Sequence, residues 1–219
     1  MCGRFALAKF LEKLAEIFAA SYAGKYEANF NIAPTNDILM VAIGKDGGRK
    51  IVNARWGLVP DWMDIDGNSV LYNARSETLL EKPSFKNAFL KRRCIIPADG
   101  FYEWAREGKN RIPYYIERND EMPLAFAGLW EMKKLGDEIL LSASIITTQA
   151  SEKFSEIHHR FPVTLEQKDW NIWLDKDADV SQLQCLFKAP DDGILNVNKV
   201  SSEINKIKNN YAALKDPVL

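Results

Sequence analysis

The chain has 219 residues and 47% hydrophobic content, enough for one sizeable core, and its 29 Lys+Arg against 30 Asp+Glu leave no global basic field, so any DNA-binding surface has to be local. Three cysteines, at 2, 94 and 185, are an odd number without metal-ligand spacing, which excludes a disulfide framework, argues against zinc and implies a reducing compartment. No apolar run approaches membrane-spanning length, and Lys9, Glu12, Lys13 and Glu16 interrupt any signal-peptide core, so a cytoplasmic protein is expected, nucleoid-associated if bacterial.

The first five residues, Met1-Cys2-Gly3-Arg4-Phe5, carry the most reactive chemistry. Removal of the initiator methionine leaves Cys2 with an α-amine of reference pKa ~7.7–8.0 beside a thiol of ~8.5. An amine and a thiol two carbons apart can trap an aldehyde first as a Schiff base and then as a five-membered thiazolidine. The alternative is acyl transfer, with the thiolate attacking a carbonyl and the amine serving as local base.

An amphipathic helix is expected next, since Phe10, Leu11, Leu14, Ile17 and Phe18 recur at helical spacing. A polar connection carrying Tyr26 leads through Asn31-Ile32-Ala33-Pro34 to an apolar strand from Ile38 to Ile43. Asp46-Gly47-Gly48 then turns the chain into a second strand from Lys50 to Trp56. The Gly/Pro-interrupted segment Trp56-Gly57-Leu58-Val59-Pro60-Asp61-Trp62 reads as a lid or an aromatic platform.

Residues 63–84 read as irregular and hold Asn73-Ala74-Arg75-Ser76-Glu77; a short helix from Phe85 to Leu90 and the basic run Lys91-Arg92-Arg93 follow. A strand through Cys94, Ile95 and Ile96 ends at Pro97, and Gly100-Phe101-Tyr102-Glu103-Trp104 sets one carboxylate among three aromatics, where desolvation raises its pKa as proton transfer requires. Strand-like runs at Tyr114 to Glu117, Leu124 to Trp130 and Ile139 to Thr148 are separated by Asn119-Asp120 and Gly136-Asp137 turns. A short helix from Ser151 to Glu156 precedes Ile157-His158-His159-Arg160-Phe161-Pro162, which holds both histidines. Helices are expected over Asp169 to Leu174 and Val180 to Phe187, a strand over Ile194 to Val197, and a loop-like tail from Lys199. The sum is one α+β domain over residues 1–219, with a curved, barrel-like, mostly antiparallel sheet and peripheral helices.

Taken in order, Cys2-Gly3-Arg4, Trp56-Gly57-Leu58-Val59-Pro60, Asn73-Ala74-Arg75-Ser76-Glu77, the stretch from Arg93 to Trp104 and Ile157-His158-His159-Arg160-Phe161-Pro162 resemble the SRAP family, the SOS response-associated peptidases. The resemblance implies a sensor of abasic sites in single-stranded DNA, with Cys2 capturing the aldehyde of the ring-opened sugar as a thiazolidine crosslink. It implies that Asn73 holds the amine or the sugar hydroxyl, that Glu103 shuttles protons during carbinolamine dehydration and crosslink reversal, and that His158 acts on the opened sugar, with β-elimination as a lyase side activity. Arg4, Arg75 and Arg160 would contact phosphates, with Lys86, beside Lys82, Lys91 and Arg92, extending the track; Trp56 and Trp62 would stack on bases.

The chain departs from the family's usual pattern at His159 and Phe161. Because adjacent residues of extended backbone point to opposite sides, one histidine is expected to face the site, and it is taken to be His158. The expected partner is an abasic single strand or a single/double-strand junction, bound by a monomer without cofactor, metal or membrane. Two other functions fit the N-terminal cysteine less fully. Glutamine amidotransferases also begin with Cys-Gly and hydrolyse an amide, as a thiol peptidase would; a non-covalent single-strand-binding module would leave Cys2 incidental.

Overall fold

The computed structural model describes residues 2–64 and 70–218; Met1 and residues 65–69, part of the stretch expected to be irregular, lie outside them. The elements are β1 (Arg4–Leu7), α1 (Leu11–Phe18), β2 (Ser21–Tyr22), β3 (Asn29–Ile32), β4 (Asp37–Ile43), β5 (Arg49–Trp56), β6 (Asn73–Arg75) and α2 (Pro83–Lys91). The second half adds β7 (Arg93–Ala98), β8 (Gly100–Glu107), β9 (Asn110–Arg118), β10 (Leu124–Leu135), β11 (Glu138–Gln149), β12 (Arg160–Pro162), α3 (Trp170–Leu174), α4 (Val180–Gln184) and β13 (Leu195–Lys199).

The apolar run of β4 and the turn after it fold back on β5 as an antiparallel hairpin, Val41 opposite Ile51. The sheet continues from β4 through β7 and β10 to β11, and β11 closes it by pairing in parallel with the end of β5, Ala143 opposite Trp56. Five strands thus form a barrel without free edges between them, the arrangement in which inward side chains fill the interior. A second sheet, in the order β13-β9-β8-β1-β3, packs against it. This is the curved α+β architecture expected from the sequence.

An aromatic chain joins the two sheets. Phe5 from β1 meets Trp56 edge-on at 5.0 Å and Phe126 at 6.1 Å, and Phe101 from β8 meets Phe126 at 5.9 Å and Phe161 at 5.1 Å. All five rings are fully buried. Truncating any of them to alanine costs about 3–5 kcal/mol. The docking of the first sheet on the barrel is therefore strongly determined, and with it the position of the residues just before Phe5.

Helix α1 buries Leu14 and Phe18 and half-buries Leu11 and Ile17, while Phe10, expected on the same face, precedes the helix and is exposed. Helix α2 begins with Pro83, whose missing N–H costs nothing in the first turn, and buries Phe85, Ala88 and Phe89.

Several expectations are corrected. A strand, β1, intervenes between the reactive end and α1, and the polar connection after α1 contains β2 and β3. β7 runs through Pro97 to Ala98. The segment expected as a helix from Ser151 to Glu156 is a series of turns, and within the irregular stretch Asn73–Arg75 is a strand.

Candidate active site

The far end of β11 is a bracket that accepts two short strands. On one edge it pairs in parallel with β6, Ile145 opposite Asn73 and Thr147 opposite Arg75. Beyond β10 it pairs antiparallel with β12, Gln149 opposite Arg160. Residues of the Asn-Ala-Arg and His-His-Arg motifs are brought to one end of the barrel in this way. Alternation along β6 sends Ala74 into the core and leaves Asn73 and Arg75 on the other face.

The second sheet delivers Cys2 and Glu103 to the same place. β1 pairs with β8 through Arg4 opposite Tyr102, so Gly3 and Cys2 continue alongside the part of β8 that begins with Glu103. The site is a seam between the sheets, closed by two contacts. Asn73 Nδ2 donates to the Cys2 carbonyl at 2.7 Å, and Glu103 Oε1 lies 3.9 Å from His158 Nδ1. Asn73 Oδ1 is a buried acceptor with no partner among the described residues. A cleft of about 280 Å³ opens here, lined by Glu103, Trp104, Arg106, Arg111 and His158.

Burial sets the protonation states. It pushes the Cys2 thiol well above its ordinary value, with the Glu103 carboxylate adding to the effect. Desolvation raises Glu103 to about 7. His158 is lowered to about 4, chiefly by burial. Its Nδ1 lies 3.0 Å from the Arg160 backbone nitrogen and 3.1 Å from the Arg160 carbonyl oxygen, so the ring is held by the backbone of Arg160. A carboxyl group able to give a proton at neutral pH therefore adjoins an imidazole able to take one, the divergence that separates acid from base in proton-transfer sites.

The expected DNA contacts divide. Trp62 is 66% exposed, on a turn pinned by Lys133 Nζ donating to the Asp61 and Met63 carbonyls at 2.7 and 2.6 Å. Arg75 is exposed at the site, and Lys86 is exposed on α2 but does not line the cleft.

Trp56, by contrast, has no exposed surface and donates its indole N–H to the Tyr72 carbonyl at 2.9 Å, so it is a core residue and not a base-stacking platform. Gly57, at φ 134, turns the chain off the barrel immediately after it. Arg4 is turned inward, donating to Asn31 Oδ1 at 2.6 Å and the Ile204 carbonyl at 2.9 Å. Arg160 is 8% exposed and donates to both oxygens of Glu77, at 2.6 and 3.0 Å, and to the Thr147 carbonyl. Arg92 pairs with Glu131 at 2.7 Å. All three arginines are engaged by internal partners in this structure.

The two histidines do not point apart. They lie in a bend before β12, not in extended backbone, and their rings stack at 4.4 Å. Phe161 fills the core between Phe101 and Phe154. Sequence reasoning passed over Arg106 and Arg111, although their positions two residues either side of the Gly108-Lys109 turn were a signal that they face each other. Among the described residues no group of three or more His, Cys, Asp or Glu side chains is placed to hold a metal, and no helix is long and apolar enough to cross a membrane.

Fold and site together define a class: an α+β protein on a closed barrel, with its second residue, a cysteine, set beside an amide, an acid and an imidazole. The chain belongs to the SRAP family, described as SOS response associated peptidase, whose family model matches residues 1–207. It is 38% identical over 221 residues to the abasic site processing protein YoqW of Bacillus subtilis (strain 168), covering 98% of each chain. It is 32% identical over 229 residues to the abasic site processing protein HMCES of Gallus gallus, covering 89% of this chain and 68% of that one. An X-ray crystal structure of a protein from Bacteroides thetaiotaomicron matches 100% of both chains with a TM-score of 0.91 at 25% identity.

Proposed function

We propose that this protein processes abasic sites in single-stranded DNA by capturing the aldehyde of the ring-opened sugar on Cys2, once Met1 has been removed. The observation that carries the reading is the Asn73 amide on the Cys2 carbonyl, with Glu103 and His158 completing the same seam. The relatives named abasic site processing proteins, similar over nearly the whole chain, support it.

The steps follow from the protonation states. The neutral α-amine attacks the aldehyde carbon to give a carbinolamine, and the protonated Glu103 donates to the departing hydroxyl, so that water leaves and a Schiff base forms. The thiol then adds to the imine carbon, and its proton ends on the nitrogen of the thiazolidine. One water is released overall. Asn73 Oδ1 is free to accept from the amine or a sugar hydroxyl among the described residues, and fixes the near-attack geometry. His158, neutral at physiological pH, serves as base on the opened sugar, and β-elimination of the 3′ phosphate is the corresponding side reaction. Protonation of the thiazolidine by Glu103 runs the sequence backwards.

A thiol hydrolase, as the family description suggests, needs a ready thiolate. The elevated pKa of the buried Cys2 thiol favours attack by the amine first. Intact mass spectrometry of the processed protein after incubation with a single-stranded oligonucleotide bearing one abasic site tests the proposal. The expected product has the mass of protein plus oligonucleotide less one water, absent for Cys2→Ala; a processed protein that stays unmodified overturns it.

A further inference from the structure

β8 extends beyond the strand that covers it. β1 pairs with it only through Tyr102, opposite Arg4, whereas β9 stays paired with it as far as Glu107 opposite Asn110. Gly3 and Cys2 continue beside Glu103 and Trp104, and from Ala105 to Glu107 that edge of β8 has no strand partner among the described residues. The cleft takes Glu103, Trp104 and Arg106 from β8, Arg111 from β9 and His158.

Arg106 and Arg111 stand directly opposite each other across the β8–β9 ladder, two residue pairs beyond Trp104 opposite Pro113. Like charges facing each other in an antiparallel pair repel and weaken the ladder. Here the repulsion is uncompensated: both side chains are exposed, and among the described residues no carboxylate lies within ion-pair distance of either. Arg4 and Arg160, the arginines of the Cys2 and histidine motifs, are by contrast consumed by internal partners. Two uncommitted guanidiniums thus share one wall with the acid and the imidazole.

We infer that Arg106 and Arg111 form a phosphate clamp that seats the DNA strand in this cleft and brings the lesion to Cys2. This rests on the aldehyde-trapping reading above. A phosphodiester between the two guanidiniums turns a mutual repulsion into two charge-assisted hydrogen-bonding contacts, which guanidinium forks make with geometric selectivity. The clamp selects for an aldehyde carried on a phosphate backbone. A free aldehyde gains nothing from it.

The test uses the processed protein, its Arg106→Gln/Arg111→Gln variant and the single Arg111→Gln variant. Adduct formation is followed by intact mass with an abasic single-stranded oligonucleotide between 50 and 200 mM salt, and in parallel with propanal, which has no phosphate. The expected result is a tenfold or greater loss in rate on limiting DNA for the double variant, an intermediate loss for the single one, and a logarithmic salt slope shallower by about 1–2. Capture of propanal stays at the wild-type rate. Equal rates on DNA for variant and wild type overturn the clamp alone, and a variant slowed equally on both aldehydes overturns it by assigning the arginines to the shape of the site. A wild-type protein that captures neither aldehyde overturns the clamp together with the reading on which it rests.

Discussion

Glu103 Oε1 and His158 Nδ1 lie 3.9 Å apart, yet they are not an ion pair at neutral pH, because burial holds the carboxyl near 7 and the imidazole near 4. Between those values both groups are predominantly uncharged.

The first prediction follows from the raised carboxyl. Folding disfavours its ionised form, so stability is full below about 4.5 and falls as pH rises through about 7. Glu103→Gln should remove this loss, gaining up to ~3 kcal/mol at pH 8 relative to pH 4. Denaturant titrations at the two pH values check it. Adduct formation should rise with amine deprotonation and fall as Glu103 ionises, giving a bell whose alkaline limb disappears in the variant.

Asn73 contributes a donor to the Cys2 carbonyl and one unengaged acceptor. Asn73→Ala should cost about 1 kcal/mol of stability, the usual net worth of a hydrogen bond, while slowing adduct formation about 10–100-fold through lost orientation. Asn73→Asp should be worse on both counts, since it sets a carboxylate oxygen against a carbonyl oxygen. Thermal melts beside single-turnover rates separate the two effects.

Arg160 anchors the turn that carries His158, and its guanidinium is divided between Glu77 and the Thr147 carbonyl. Arg160→Ala should destabilise by about 2–3 kcal/mol, because a buried carbonyl loses a charged donor. Arg160→Lys should recover little of it, as the fork on Glu77 needs two parallel N–H groups. Glu77→Gln should leave stability within about 1 kcal/mol, its carboxylate being largely exposed. Unfolding midpoints of the three variants check the order.

The two tryptophans should separate stability from binding. Trp56→Ala removes a fully buried ring and should cost about 3–5 kcal/mol. Trp62→Ala should leave the melting temperature unchanged and weaken undamaged single-stranded DNA by about 1–3 kcal/mol, the worth of one stacked base. Fluorescence anisotropy with a labelled oligonucleotide reads the second effect.

The long strands and the hairpins were legible because their signal is local. The apolar run of β4 and the Gly136-Asp137 turn between β10 and β11 declare themselves within a few residues. β6 was not legible: Asn-Ala-Arg has no strand character and becomes a strand only because β11 offers an open edge more than seventy residues later. The same reason hid the internal partners of Arg4 and Arg160. Both look like solvent-facing cations in sequence, and both are neutralised or enclosed by groups 200 and 83 residues away. Glu103 was legible because its aromatic neighbours are adjacent in the chain, and its own burial is what raises its pKa. The histidine pair misled because the orientation rule assumed extended backbone where the chain bends.

The tie between Arg4 and the Ile204 carbonyl spans 200 residues, and Asn31 beside it is fastened to the carbonyls of Ile204, Lys206 and Asn209. On the ribosome the strand of Arg4 therefore emerges 200 residues ahead of the segment tied to it. At roughly 5–20 residues per second the interval is on the order of ten seconds or more. Throughout it the tie between Arg4 and the Ile204 carbonyl cannot form. An aminopeptidase that is to expose Cys2, as the proposed chemistry requires, has that interval in which to act before the tie closes, and the clock is translation itself.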